Sequence, residues 1–231
     1  MATPGELCKK TAELLGLEPN VTATAWRILR DNMEVTTGGR GRSAAHCVAS
    51  DAAKLLIASV GKLPLHSSYK SWGRYSRLPA WTGQYISAKA PDGNVGVQWE
   101  IDVPELMALK ENHTFGDGLQ ALMESAVSGS LQNSLEIGSA VATPSLEVRL
   151  SGPIPQAGIS ISLECGQRSS SNAVAYADFP KCDVDMSKLF DWVDSTSPSL
   201  GDHSDLQTTL SFGSRTILTL GALLRSEKVS Q

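Results

Sequence analysis

The sequence predicts an α+β protein in which an N-terminal helical unit is followed by a domain built on an antiparallel sheet. Three observations carry this reading. Apolar residues recur at helical spacing through the first 62 residues, strict apolar/polar alternation sets in after residue 93, and two alternating runs, LEVRL at 146–150 and ISISL at 159–163, are placed to pair as a hairpin. A chain of 231 residues can bury a sizeable core without staples.

Residues 5–16, GELCKKTAELLG, set Leu7, Thr11, Leu14 and Leu15 on one helical face and Lys9, Lys10 and Glu13 on the other, with Gly16 as the stop. After the short link LEPN, Asn20 is placed to cap a second helix over 21–33, VTATAWRILRDNM. Its apolar stripe reads Val21, Ala25, Leu29 and Met33, flanked by Trp26 and Ile28; its polar face reads Thr22, Thr24, Arg27, Arg30 and Asp31. Residues 50–61, SDAAKLLIASVG, give a third helix, capped by Ser50 or Asp51, whose Leu55, Leu56, Ile57 and Val60 close a small core.

Between the second and third helices lies TTGGRGRSAAH, residues 36–46. It has neither helical nor strand periodicity, and its glycines let the backbone approach a surface closely. Arg40 and Arg42, at alternate positions, can lay two guanidinium groups along a groove or across phosphates, with His46 at the end of the segment. Arg40-Gly41-Arg42 resembles the centre of the AT-hook, a minor-groove peptide, with Ser43 where a proline usually follows. Two helices joined by a tight turn, the second bearing arginines, have the layout of a helix-turn-helix.

The run TAELLGLEPNVTATAWRILRDNMEVTTGGRGRSAAH is similar in cadence to the N-terminal helix-turn-helix or winged-helix domains of bacterial, phage and mobile-element regulatory proteins. The resemblance covers about residues 10–62. It implies that Thr22, Thr24, Arg27 and Arg30 face the major groove and that Arg40 and Arg42 occupy the wing. Trp26 is larger than that pattern leads one to expect: it belongs to the core, or the helix is rotated from this assignment.

Charge is distributed in the same sense. Residues 1–80 hold 11 Lys/Arg against 6 Asp/Glu, and residues 81–231 hold 9 against 18, so a front of +5 and a remainder of −9 lie behind the net −4. Such a chain can offer a basic face to a polyanion and remain soluble through its acidic part.

Residues 63–92 form a basic, aromatic connector. The stretch 62–89 has no acidic residue and interleaves Tyr69, Trp72, Tyr75, Trp81 and Tyr85 with Lys70, Arg74, Arg77 and Lys89, a mixture that single-stranded nucleic acid binding also uses. Tyr69, Trp72 and Tyr75 are equally spaced to lie on one side of a short docking helix, which is the reading favoured. In the acidic part, residues 93–231, a half-buried strand is expected over 95–103 and a helix capped by Thr114. After the hairpin with its eight-residue loop SGPIPQAG come a strand at 173–178, a small helix near Leu189, Phe190 and Val193, a strand at 206–212 and a final helix at about 215–226. RSSSN at 168–172 and STSPSLGDHSD at 195–205 read as linkers.

Catalytic constellations are not evident. Cys8, Cys47, Cys165 and Cys182 stand far apart without metal or redox spacing and read as reduced thiols. His113 and His203 read as solvated or capping loop residues, and Asp183 and Asp185 as an isolated alternating pair. No phosphate-binding glycine loop, nucleophile elbow or zinc motif occurs, so no enzyme activity, cofactor or metal is expected. No secretory leader or membrane span is evident, which makes a cytoplasmic location the expectation and the Asn20 and Asn112 sequons chance matches.

The expected function is sequence-specific recognition of double-stranded DNA by a transcriptional regulator acting as a homodimer or higher homo-oligomer, with residues 93–231 oligomerising or sensing a protein partner or ligand. Two alternatives stand beside it: a DNA-handling phage component such as a small packaging subunit, and a protein-binding module that does not touch DNA.

Overall fold

The computed structural model describes residues 2–37, 46–60, 68–81, 86–88, 101–140, 142–152, 154–165, 168–177 and 208–225. It is an α+β structure: a five-stranded sheet, antiparallel at every pairing, with helices packed on one face.

Helix α1 (Pro4–Leu15) is framed by its sequence at both ends. Thr3 and Glu6 form a reciprocal capping box, and Gly16 closes the helix at φ 64°, a left-handed conformation that glycine adopts without steric cost. Helix α2 (Pro19–Asp31) begins two residues earlier than expected. Glu18 occupies the cap, Pro19 supplies the preset φ of the first helical position, and Asn20 lies inside the first turn rather than capping it.

Helix α3 (Ala49–Val60) is buried on nearly every side: Asp51, Ala52, Ala53 and all residues from Leu55 to Val60 are enclosed. It packs against α2, against α4 (Ser68–Ser76) and against α6 (Phe115–Ser128). It therefore sits at the centre of the helical layer instead of closing a small core of its own. One continuous cluster of buried side chains runs from Ala2 to Leu224, crossing the boundary expected at residue 62. In helix α4 Trp72 and Tyr75 are buried, and the Tyr75 hydroxyl donates to the Ser151 carbonyl at 2.9 Å.

Strand β1 (Ile86–Ala88) is short. Residues 101–103 are irregular chain leading into α5 (Pro104–Met107), with Ile101 and Val103 buried, so the end of the strand expected over 95–103 is not a strand; residues 95–100 lie outside the described residues. Helix α6 starts at the Thr114 cap, in a second capping box with Asp117, and α7 (Ser130–Ser139) follows across Gly129 at φ 96°.

Strands β2 (Thr143–Gly152) and β3 (Gln156–Cys165) form the expected hairpin, pairing Leu146 with Ile161 and Leu150 with Ala157. The loop is shorter than eight residues because pairing continues to Ser151 opposite Gln156. RSSSN is not a linker: it is the first half of β4 (Arg168–Ala177), whose Arg168 lies opposite Cys165. Strand β5 (Thr208–Gly213) joins the far side of β2, giving the order β1-β4-β3-β2-β5, and leads directly into α8 (Ser214–Arg225). Side chains alternate across the sheet. Leu146, Val148, Leu150, Ile159, Ile161, Leu163, Val174 and Tyr176 face the helices, while Glu147, Arg149, Ser160 and Ser162 face outward. The small helix expected near residue 190 lies outside the described residues.

Candidate nucleic-acid interface

The residues expected to contact DNA fall into three groups. Arg27 and Arg30 are exposed on the outward side of α2. The Arg30 guanidinium rests on the neighbouring Asp31 carboxylate at 3.1 Å, with more than half of each side chain in solvent, a contact worth little and easily exchanged for a phosphate. Thr24 is half-buried at the margin of this face, and His46 is exposed. Arg40 and Arg42 lie outside the described residues.

Thr22 is the exception, and it corrects the assignment of the polar face. It is fully buried, and its hydroxyl donates to the carbonyls of Cys8 at 3.0 Å and Pro19 at 3.1 Å, tying α2 to α1. Trp26 is buried as well, so the inward seam of α2 is Thr22, Ala25, Trp26 and Leu29. Met33 does not belong to it. That residue lies past the helix end at φ 58° with 89 % of its surface exposed.

The chain then enters and leaves the glycine-arginine segment at one point. The two oxygens of the Asp51 carboxylate accept backbone N–H groups from Thr36 at 2.9 Å and from Val48 at 3.0 Å. Asp51 itself is 1 % exposed. Lys54, one turn along α3, donates to the Glu34 carbonyl, and the Cys47 N–H donates to the Ala2 carbonyl. A buried carboxylate with both oxygens engaged is well satisfied. At the third position of α3 it also lies where the helix dipole favours negative charge. In sequence Asp51 was legible only as a cap; its reach back across 15 residues to Thr36 has no local signature.

Elsewhere, His113 is not a solvated loop residue but is buried, with Nδ1 2.6 Å from the Lys110 carbonyl and Nε2 3.0 Å from the Tyr176 hydroxyl. His203, Asp183 and Asp185 lie outside the described residues. Among the described residues, no group of three or more His, Cys, Asp or Glu side chains converges, and no helix is long and apolar enough to cross a membrane. Comparisons of the chain with protein-family models, with curated proteins and with solved structures gave no match.

Proposed function

We propose that the chain is a sequence-specific DNA-binding regulator of transcription. The observation that supports this most is the outward presentation of Arg27 and Arg30 on α2, immediately before a glycine-arginine segment whose two ends meet at Asp51. Guanidinium groups on a helix reach guanine edges or phosphates, and arginines flanked by glycine suit a narrow, strongly negative groove. The interface so proposed comprises Arg27, Arg30, Arg40, Arg42 and His46, with Thr24 at its margin and without Thr22.

One such surface offers few base contacts. A second copy bound one helical turn of DNA away would supply the missing discrimination, and the proposed assembly is accordingly a homodimer. The acidic C-terminal part is then the region that oligomerises or senses a partner.

The test is retention of sheared genomic DNA by the purified protein at two salt concentrations, beside Arg27→Ala/Arg30→Ala and Arg40→Ala/Arg42→Ala variants, with the mass in solution measured by light scattering. Enrichment of a short palindromic site by a dimer, weakened by salt and by either double substitution, is the expected result. A ring-sized assembly would favour a packaging component, and no retention at low salt would leave a protein-binding module.

A further inference from the structure

We infer that the outer edge of β5 is a homodimer interface: two copies of the chain join their sheets by pairing β5 with β5, antiparallel, about a two-fold axis at Leu210. For its role this rests on the homodimeric reading above, while its evidence lies in the sheet and involves no arginine. Strand β5 ends the order β1-β4-β3-β2-β5 and pairs with β2 in an unbroken register from Gly152 opposite Thr208 to Glu147 opposite Gly213. Among the described residues, nothing pairs with its other edge. Proteins guard such edges with charge, proline, a bulge or brevity. The strand TTLSFG has no charged residue and no proline, its register with β2 has no bulge, and its six residues compare with three in β1 at the opposite edge. It therefore offers a row of backbone donors and acceptors to another strand.

The side chains define which strand fits. On the helix-facing side of the sheet, one cross-strand row runs through Tyr176, Ala157, Leu150 and Leu210. The first three are at most 7 % exposed, and the fourth is 38 % exposed. The apolar layer thus reaches the edge and stops on an uncovered leucine. A second β5, related by a two-fold axis at this point, sets its own Leu210 directly opposite and continues the row into the second copy. On the outer side, Thr209 and Ser211 are exposed on either side of Leu210. The same axis places each Thr209 opposite the other copy's Ser211, a hydroxyl pair of the kind that supports adjacent strands. Thr209 already makes such a contact within the chain, to the Ser151 hydroxyl at 3.1 Å. An axis at Ser211 would instead require pairing at Gly213, where the chain turns into α8. A pattern of hydroxyl, leucine, hydroxyl is complementary to itself, brings no like charges together and suits an isologous contact, which closes at two copies.

The test is sedimentation velocity of the full chain without DNA over a wide range of concentration, where the mass should rise from one chain to two and no further. Leu210→Lys sets like charges against each other across the axis and should raise the dissociation constant at least about tenfold, with the thermal midpoint of the dilute protein unchanged. Leu210→Cys supplies a second reading, which decides the matter if the lysine variant does not fold. Directly opposed residues of an antiparallel pair have Cα atoms about 4.5–5.5 Å apart, within disulfide reach. Mild oxidation with oxidised glutathione should therefore yield a peptide linked 210 to 210 by mass spectrometry, whereas Thr209→Cys, which faces 211 of the other copy, should give no 209 to 209 link. A wild-type chain that stays monomeric at every concentration overturns this interface and the homodimer together. A dimer that is unweakened by Leu210→Lys, or that lacks the 210 to 210 link, overturns this interface while the homodimer stands, as does assembly beyond two copies. A dimer that shows the link but retains no DNA upholds the interface and removes the regulatory reading.

Discussion

His113 and Tyr176 hold each other at the junction of sheet and helices: Nε2 lies 3.0 Å from the phenol oxygen, and the rings meet edge to face at 5.4 Å. Because the Lys110 carbonyl 2.6 Å from Nδ1 can only accept, Nδ1 carries a proton, and in the neutral ring Nε2 then accepts from the Tyr176 hydroxyl. Phe115 packs on the other side of Tyr176 at 5.3 Å, and the phenol passes so close to Gly118 that an added Cβ would overlap its oxygen and stand 3.0 Å from Cζ. Tyr176→Phe strands a buried acceptor and is expected to destabilise the fold by about 1–3 kcal/mol. Gly118→Ala forces the phenol aside, at a cost of about 1–3 kcal/mol. With the hydroxyl gone the methyl fits more easily, so the double variant should lose less than the two singles together in urea denaturation. Strict additivity would show that Gly118 and Tyr176 do not compete for the same space.

Thr22 and the arginines of α2 should separate cleanly in their effects. Thr22→Val removes hydrogen bonds to two carbonyls and should cost about 1 kcal/mol of stability, with DNA retention intact. Arg27→Ala/Arg30→Ala removes only exposed groups, should leave the thermal midpoint within a degree or two, and should lower the salt slope of DNA binding by up to about 1.8. The reverse pattern would mean that Thr22 reaches the ligand and that α2 is turned from the orientation described.

The misreading of α2 has a simple geometric cause. With 3.6 residues per turn, a strict four-residue series advances about 40° past each full turn. A stripe drawn from Val21 through Ala25 to Leu29 therefore drifts about 80° around the helix, and Met33, its expected fourth member, lies past the helix end in a left-handed conformation. The seam that is buried alternates spacings of three, one and three, through Thr22, Ala25, Trp26 and Leu29. Thr22 has the sequence signature of polar surface because nothing local to it shows that a carbonyl of α1 waits opposite its hydroxyl. Local signals fared better: the Thr114 cap, the Gly16 stop and the alternation in β2 and β3 each depend on residues close in the chain. RSSSN failed as a linker because serines can pair in a strand when a neighbour supplies the register. The clamp at Asp51 was illegible for the same reason, being a contact between segments that only the fold brings together.

Stability is expected to fall on the alkaline side. Burial raises the Cys8 thiol from 9.0 to about 11, and burial, assisted by the nearby Asp51 carboxylate, raises Cys47 from 9.0 to about 12. Burial also raises the Tyr75 phenol, against the opposing charge of Arg74. In each case the folded state holds its proton more tightly than the unfolded chain. The contribution is therefore complete below the unfolded value and is lost as pH climbs through the folded one, so unfolding free energy should decline from about pH 9 upward. The same protonation keeps both thiols unreactive, and alkylation at pH 8, followed by mass spectrometry, should label Cys8 and Cys47 far more slowly than a model peptide thiol. Labelling at the peptide rate would mean that the contact between α1 and the Cys47 segment opens readily.

Helices α6 and α8 meet more closely than side chains normally allow, and Arg225 then fastens them. A Cβ on Gly221 would lie 2.6 Å from the Ala126 Cβ and 2.7 Å from its carbonyl carbon, so the helices touch backbone to backbone at that point. One turn further on, the Arg225 guanidinium donates to the Val127 and Ala126 carbonyls, both at 2.7 Å, satisfying acceptors that the end of α6 leaves without helical partners. Gly221→Ala must push the two helices apart, since neither contacting atom can rotate away, and is expected to cost at least about 1–3 kcal/mol. Arg225→Ala should cost about 1 kcal/mol through the lost charge-assisted bonds and helix-end charge. Arg225→Lys should recover only part of that, because an ammonium reproduces the charge but not the planar fork across two carbonyls. Full recovery by lysine in thermal unfolding would assign the effect to helix-end charge alone; a loss in Gly221→Ala below a few tenths of a kcal/mol would place α6 and α8 farther apart than described.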